Sequence, residues 1–300
     1  MNRLSLCQLT VETGPPPGDS MVANMLRLIS AAAGAGFAAV VPRVRQPPGL
    51  GAASRNDDRP LHVEEVRRRL ADTGMRVASV MSFWMTPETV PAQFEASLDA
   101  AAGIGAQSIQ VVCRDPDPGR SLANFSRTCA MARSRGLRVA LEFMPYSSVR
   151  SLSEASAFLL RAGQKNAGLC VDALHFHRSG SSLGELQALD PAALVLVQFC
   201  DAPRAAPSAD RLRDEARSGR LYPGQGGERN RAQNHGSGDH RAKPETPARA
   251  HAAHRPSRRR TLSLTGGCVE KRPRSIPPES GCTMNIWLAA GLVSSGIWPE

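Results

Sequence analysis

Short apolar runs alternate with amphipathic segments through the first 200 residues, and this rhythm restricts the possible folds more than any other feature of the chain. The apolar runs begin about 26–39 residues apart. Several of the segments between them end in a glycine, such as Gly74 and Gly163, as helices often do. Strands that alternate with helices predict βα units around a parallel sheet. The predicted strands are residues 4–11, 37–42, 76–83, 107–113, 137–143, 168–173 and 194–199; the predicted helices are residues 21–33, 62–71, 94–102, 122–135, 153–162 and 183–189.

Seven βα units are one short of an eightfold (β/α) barrel, and they are too many for most compact doubly wound sheets. A Rossmann fold is the main alternative, and it requires a glycine-rich turn after the first strand. Residues 13–19 follow that strand here, and they contain three prolines and no GxGxxG motif. We therefore predict an α/β fold of the (β/α)8 TIM-barrel type, with seven recognisable units.

The chain changes character after residue 226. Its net charge is +10, and residues 227–300 carry 12 Lys and Arg against 6 Asp and Glu. Residues 227–283 are rich in Arg, Pro, Gly, Ser and His and show no amphipathic periodicity. We therefore predict a barrel domain over residues 1–226 and a disordered basic tail over 227–300. No eighth βα unit is visible, so the predicted barrel is incomplete, and removal of 227–300 is expected to change stability little.

The cysteines and the apolar runs bear on location and partners. Seven cysteines are scattered without CxxC spacing, which is typical of reduced, buried thiols. No run reaches the roughly 18 apolar residues of a membrane span. We expect a soluble, cytoplasmic protein without a membrane partner, whose open sheet edges can pair with a second copy. The basic tail lacks interleaved aromatic residues, which makes a nucleic-acid partner an unfavoured interpretation.

Polar side chains stand at the ends of three successive predicted strands. Glu142, Asp172 and Gln198 each close an apolar run. In a (β/α) barrel the catalytic groups project from the C-terminal strand ends, and a buried carboxylate is costly unless it is paired or bound to a metal. The three oxygen ligands predict a site for a divalent cation such as Mg, Mn or Zn, although each residue taken alone is also compatible with a structural role.

Four motifs in this order resemble the xylose isomerase-like (β/α)-barrel family, also called the sugar phosphate isomerase/epimerase or endonuclease-four-like superfamily. They are LEFMP (141–145), VDALHFHRSG (171–180), VQFCDAP (197–203) and EARSGRLYPGQG (215–226). The resemblance covers residues 1–226. It implies a barrel that holds a divalent metal through Glu142, Asp172 and Gln198, and a histidine, His175, that lies near metal and substrate and moves protons.

The predicted function follows from that resemblance. We expect a metal-dependent isomerase or epimerase that acts on a small hydroxy-carbonyl or sugar substrate, with Glu142 and His175 as proton-transfer residues. Arg204 and Arg217, together with Arg220, are candidates for binding a substrate carboxylate or phosphate. Two alternatives stay open: a dehydratase on the same scaffold, and a non-catalytic relative. The second arises because the family carries a fourth ligand, a glutamate on strand eight, and no matching segment is visible after residue 226.

Overall fold

The computed structural model describes residues 4–8, 21–45, 62–221 and 283–286. Strands and helices alternate through these ranges, as the apolar rhythm predicts. The strands are β1 Leu4–Cys7, β2 Ala39–Val41, β3 Arg76–Val77, β4 Val80–Met85, β5 Ser108–Cys113, β6 Arg138–Glu142, β7 Ala167–Asp172, β8 Leu194–Phe199 and β9 Thr283–Ile286. The helices are α1 Met21–Gly34, α2 Val63–Thr73, α3 Glu95–Gly103, α4 Pro118–Arg133, α5 Leu152–Ala162, α6 Ala173–Arg178, α7 Leu183–Gln187 and α8 Leu212–Ser218.

The strands form one parallel sheet that closes on itself. Its order is β3-β2-β1-β9-β8-β7-β6-β5-β4. Strands β3 and β4 are separated by only two residues and occupy one barrel position, because a parallel bridge between Arg43 and Met81 joins the end of β2 to β4. The sheet therefore has eight positions around a barrel. The predicted TIM-barrel class is confirmed.

The structure differs from the seven-strand expectation at the eighth position. Strand β9 pairs with β1 on one side, with Asn285 opposite Ser5, and with β8 on the other, with Asn285 opposite Gln198. Its four residues are too short for a recognisable alternating pattern, which explains why the sequence analysis missed it. The strand comes from the segment predicted as a tail. The rest of that segment, apart from Thr283–Ile286, lies outside the described residues.

Alternation along the strands separates an outer core from the barrel interior. Val139, Leu141, Leu169 and Val171 belong to the main apolar core, which the strands share with the helices around them. Their sequence neighbours on β6 and β7 face the other way, and Glu142 and Asp172 end those inward-facing rows. The strand period of two thus directs both carboxylates into the barrel mouth.

The helices around the barrel begin and end at sequence signals. Asp117 accepts a hydrogen bond from the Arg120 N–H at the start of α4, and Ser182 forms a reciprocal capping box with Glu185 at the start of α7. Helix α5 ends at Gly163 with φ +59°, a left-handed conformation that glycine adopts without strain. Gly168 in β7 has a different role: a Cβ there would lie 2.4 Å from the Ala193 carbonyl oxygen, so only glycine permits this close approach.

Two sequence expectations can be compared with the described residues. None of the described cysteines forms a disulfide bond; Cys7, Cys113, Cys129 and Cys170 are buried and Cys200 is half-buried. Among the described helices, none has both the length and the apolar character that a membrane crossing requires.

Candidate active site

The register of the sheet brings the three predicted ligands to one end of the barrel. Glu142 pairs with Cys170 across β6 and β7, and Asp172 pairs with Gln198 across β7 and β8. The side chains are almost fully buried: Glu142 is 2% exposed, and Asp172 and Gln198 are 0% exposed. Three polar side chains therefore meet in the mouth of the barrel, shielded from bulk solvent.

Helix α6 begins directly after β7 and positions His175. Asp172 Oδ1 caps the helix by accepting hydrogen bonds from the backbone N–H groups of Leu174 (2.9 Å) and His175 (3.2 Å). His175 Nε2 lies 3.8 Å from Glu142 Oε1, and Tyr146 packs edge-on against the imidazole with 5.5 Å between ring centroids. Burial lowers the pKa of His175 to about 4, so the imidazole is neutral at physiological pH.

Glu142 is held in an environment that favours its protonated form. Burial, followed by the neighbouring charge of Asp172, raises the pKa of Glu142 to about 8. Arg220 and a hydrogen bond from Gln110 Nε2 oppose this increase without cancelling it. A carboxyl group with this pKa can both hold and release a proton near neutral pH.

The donor set fits a divalent cation. Glu142, Asp172 and His175 each offer a ligand atom, and these atoms lie within 4.8 Å of one another. Both amide atoms of Gln198 are buried without a hydrogen-bond partner in the described part of the chain. A buried amide is costly in that state, and an ion bound between Gln198 and the two carboxylates would satisfy its oxygen. Carboxylate, amide and imidazole ligands suit Mg, Mn or Zn.

Arg220 is the residue whose position the sequence analysis did not anticipate, although it lies in the EARSGRLYPGQG motif. Its Nη1 donates to both Asp172 oxygens (3.1 and 2.9 Å), and Nη2 lies 3.4 Å from His175 Nε2. Its Nε donates to the Ala216 carbonyl at 2.8 Å, which orients the guanidinium from the end of α8. Arg220 is 7% exposed and places a positive charge beside the two buried carboxylates.

A buried ion pair fixes α8 over the barrel mouth. Arg178, the last residue of α6, donates from Nε and Nη2 to the two oxygens of Glu215 at 2.9 and 2.6 Å. Its Nη2 also donates to the Pro203 carbonyl at 2.7 Å. The side chains are only 3% and 7% exposed. This bidentate contact ties α8 to α6 and so keeps Arg220 close to Asp172.

Of the three arginines predicted to bind substrate, Arg204 and Arg217 lie outside this buried group. Arg204 is exposed in the loop after β8, where no side-chain contact to Glu142, Asp172 or His175 is found in the described ranges. Arg217 is exposed on α8, close enough to Tyr146 to lower the pKa of its hydroxyl against the larger, opposite effect of burial. The structure thus brings Glu142, Asp172, His175 and Gln198 together, places Arg217 at the periphery, and leaves Arg204 on the surface.

A closed parallel barrel with its polar groups at the C-terminal strand ends is the architecture of TIM-barrel enzymes. The sequence profile described as "xylose isomerase-like TIM barrel" matches residues 29–232. The chain therefore belongs to the xylose isomerase-like TIM barrel family, as the four motifs predict.

Individual relatives agree with this assignment. Inosose isomerase from Bacillus licheniformis is 29% identical over 119 residues, which cover 39% of this chain and only 41% of that enzyme. A solved structure of the IolI protein with a bound zinc atom has a TM-score of 0.59 at 16% identity and covers 77% of this chain and 82% of that one. The probable 3-DHS dehydratase AsbF from Bacillus anthracis has a TM-score of 0.55 at 14% identity over 74% of this chain and 83% of that one.

Proposed function

We propose that the protein is a divalent-metal-dependent isomerase or epimerase of a small hydroxy-carbonyl compound of the sugar or inosose type. The observation that carries the proposal is the buried group of Glu142, Asp172 and His175, whose donor atoms lie within 4.8 Å of one another at the barrel mouth. The matched segment of inosose isomerase and the zinc atom in the structure of IolI support it.

Glu142, Asp172 and Gln198 would hold the ion, in agreement with the ligand set that the resemblance implies. A divalent cation held by these residues would polarise a carbonyl and the adjacent hydroxyl of the substrate, and would so acidify the C–H bond between them. The ligand oxygens come from rigid strand ends, and Asp172 is additionally fixed by the start of α6. The site is therefore largely preformed.

Proton transfer falls to His175 and Glu142. The neutral His175 can accept a proton at Nε2, and Glu142 Oε1 lies 3.8 Å from that atom. Tyr146 packs against the imidazole and limits the access of water to it. Moving one proton between two adjacent carbons requires such a base and acid in a desolvated pocket.

One observation favours a second candidate, a barrel relative without catalytic activity. The resemblance implies a glutamate ligand on the eighth strand, and β9 reads Thr-Met-Asn-Ile, with Asn285 level with Gln198 in the ladder. Its four residues include no carboxylate. A site with two carboxylates and an amide would bind a divalent ion more weakly than one with three carboxylates.

Turnover assays distinguish the isomerase or epimerase from the barrel relative without catalytic activity. Full-length protein loaded with Mg, Mn or Zn should convert members of a panel of inososes, ketoses and 3-carbon hydroxy-carbonyl compounds, and a chelator should abolish the activity. Glu142→Gln and Asp172→Asn should each lower kcat/KM by at least about 10³-fold, because each removes a ligand. Glu142→Gln should leave the melting temperature nearly unchanged, whereas Asp172→Asn should also lower it, because it leaves the buried Arg220 without its counter-charge. Metal-loaded protein that binds the ion and converts no compound would contradict the proposal and favour the non-catalytic relative.

A further inference from the structure

Three arginines near the barrel mouth form no ion pair within the described part of the chain. Arg114 follows the last residue of β5, and Arg213 and Arg217 lie on α8. Within the described ranges, no carboxylate forms an ion pair with any of the three side chains, and none donates a hydrogen bond from its guanidinium. By contrast, Arg178 and Arg220, which flank the same helix, are bonded to Glu215 and Asp172.

The three side chains are brought together by the fold. Residues 213 and 217 are separated by four positions on α8 and so share one face of the helix. Arg114 follows a strand end, packs over the Trp84 ring at 5.2 Å from its centroid, and lies close enough to Arg213 and Arg217 for their positive charges to repel one another. The nearby acid on the helix, Asp214, is engaged by Arg211 at 2.9 Å. Like charges at this spacing destabilise a helix unless another group neutralises them.

Two observations indicate that the cluster lacks an anion. The Nε atom of Arg213 is buried and has no hydrogen-bond partner within the described residues. Burial and the positive charge of Arg213 both lower the pKa of Arg114 and of Arg217, which shows that the three charges oppose one another. Guanidinium groups in this arrangement match the planar, multiply charged oxygens of phosphate and carboxylate groups.

The cluster adjoins the catalytic group through Tyr146. The phenol ring contacts His175, and Arg217 lies close enough to lower the pKa of the Tyr146 hydroxyl against the larger effect of burial, which raises it. Arg114 also interacts with Tyr146. A substrate whose carbonyl lies beside Glu142 and His175 can therefore extend past Tyr146 and place a terminal anion among the three arginines.

We propose that Arg114, Arg213 and Arg217 form a subsite for the anionic group, a phosphate or a carboxylate, of the substrate. The inference rests on the proposed function, and it narrows the substrate class from neutral sugars to sugar phosphates or sugar acids. It also assigns a role to Arg217 alongside two arginines that the sequence analysis did not consider.

Anion binding to the full-length, metal-loaded protein tests the subsite directly. Titration calorimetry with inorganic phosphate should give a Kd that rises about 10-fold or more in Arg213→Gln and in Arg217→Gln, since a hydrogen bond to a charged group contributes about 1.5–3 kcal/mol. Arg161→Gln is the matched control, because Arg161 is exposed in the last turn of α5, which leads into the start of β7 at the other end of the barrel from the strand ends. The control should bind phosphate like the parent protein. Equal affinities in all four proteins would overturn the proposal.

Substrate preference separates this inference from the proposed function. Titrations with a ketose phosphate, the corresponding sugar acid and the neutral ketose identify which anion the arginines accept, and Arg213→Gln should lower kcat/KM for the charged compound while the neutral one is unaffected. Turnover restricted to neutral compounds would overturn the subsite and leave the isomerase proposal intact. Phosphate binding that depends on Arg213, without turnover of any compound, would support the subsite and reject the isomerase.

Discussion

The strand ends and the segment that follows β8 contribute opposite charges to the barrel mouth. Strands β6 and β7 supply the carboxylates of Glu142 and Asp172, which are fixed by the sheet register. Helix α8 supplies the guanidinium groups of Arg213 and Arg217, and Arg220, two residues after the helix, supplies a third. The strands are continuous with the main core, whereas α8 and the residues after it are joined to the barrel by two buried ion pairs, Arg178–Glu215 and Arg220–Asp172. The site thus consists of two parts. The acidic floor is formed by Glu142 and Asp172 at the rigid strand ends, and the basic cover is formed by Arg213, Arg217 and Arg220, which are anchored separately.

The anchor of the basic cover should be the more fragile part. Glu215→Gln removes the partner of Arg178 and leaves a nearly buried guanidinium without its counter-charge, so we expect the free energy of unfolding to fall by about 3 kcal/mol. Urea denaturation measures this change. Glu64→Gln is the matched control, because the Glu64–Arg67 pair is exposed, and it should unfold like the parent. Equal behaviour of the two variants would show that the pair does not hold α8.

The closure of the barrel by β9 leads to a second prediction. It is the opposite of the sequence-based expectation that removal of residues 227–300 changes stability little. A chain shortened to residues 1–226 loses β9 and leaves the edges of β1 and β8 unpaired. We expect its melting temperature to fall by more than about 5 °C, of order 2 kcal/mol for a domain of this size. A chain ending at residue 290 retains Thr283–Ile286 and is the control. If the shorter chain melts together with the parent, the barrel is not closed by this strand.

The acidic floor predicts a smaller effect on the pH dependence of stability in metal-free protein. The pKa of Glu142 is raised to about 8 by burial and by Asp172, so the folded state holds a proton that the unfolded state releases above about pH 4.5. This contribution is complete below pH 4.5 and is lost as the pH rises through 8. His175, with its pKa lowered to about 4, contributes above pH 6.5 and loses that contribution as the pH falls toward 4.

Between pH 6.5 and 8, Glu142 makes the larger change of these two groups, because the imidazole of the unfolded chain is already half neutral at its ordinary pKa of about 6.5. The free energy of unfolding of the parent should therefore decrease on the order of 1 kcal/mol over this interval, and that of Glu142→Gln should not decrease. Denaturation at several pH values in the presence of a chelator provides the measurement. Parallel profiles for the two proteins would contradict the assigned pKa.

The acidic floor could be predicted from the sequence because the pattern that places its residues lies within single strands. An apolar run of five or six residues that ends in Glu142 or Asp172 identifies both the strand and the end of the barrel at which the side chain lies. The strand period of two then gives the inward direction. The predicted ligands Glu142, Asp172 and Gln198 consequently meet where the alternating pattern places them, and the structure adds the distance to His175.

The basic cover could not be predicted in the same way, because the residues that hold it in place are far apart in the sequence. Arg220 reaches Asp172 across 48 residues and Arg178 reaches Glu215 across 37. An arginine in a polar loop or just after a short helix is typical of an exposed surface, and nothing local distinguishes Arg220 from Arg204. Strand β9 was not predicted for a related reason. Its four residues are stabilised by hydrogen bonds to the neighbouring strands β1 and β8, and they are too few to show an alternating pattern of their own.

Metal binding by the full-length protein tests the central claim, a divalent-cation site formed by the strand ends. Chelator-treated protein should bind one equivalent of Mg, Mn or Zn by titration calorimetry, and Glu142→Gln should weaken that affinity at least about 100-fold without loss of fold by circular dichroism. Gln187→Glu is the control. It exchanges the same two side-chain types in the reverse direction on α7, away from the mouth, and should bind the ion like the parent. Binding by Glu142→Gln with the affinity of the parent, or no binding by the parent, would contradict the account.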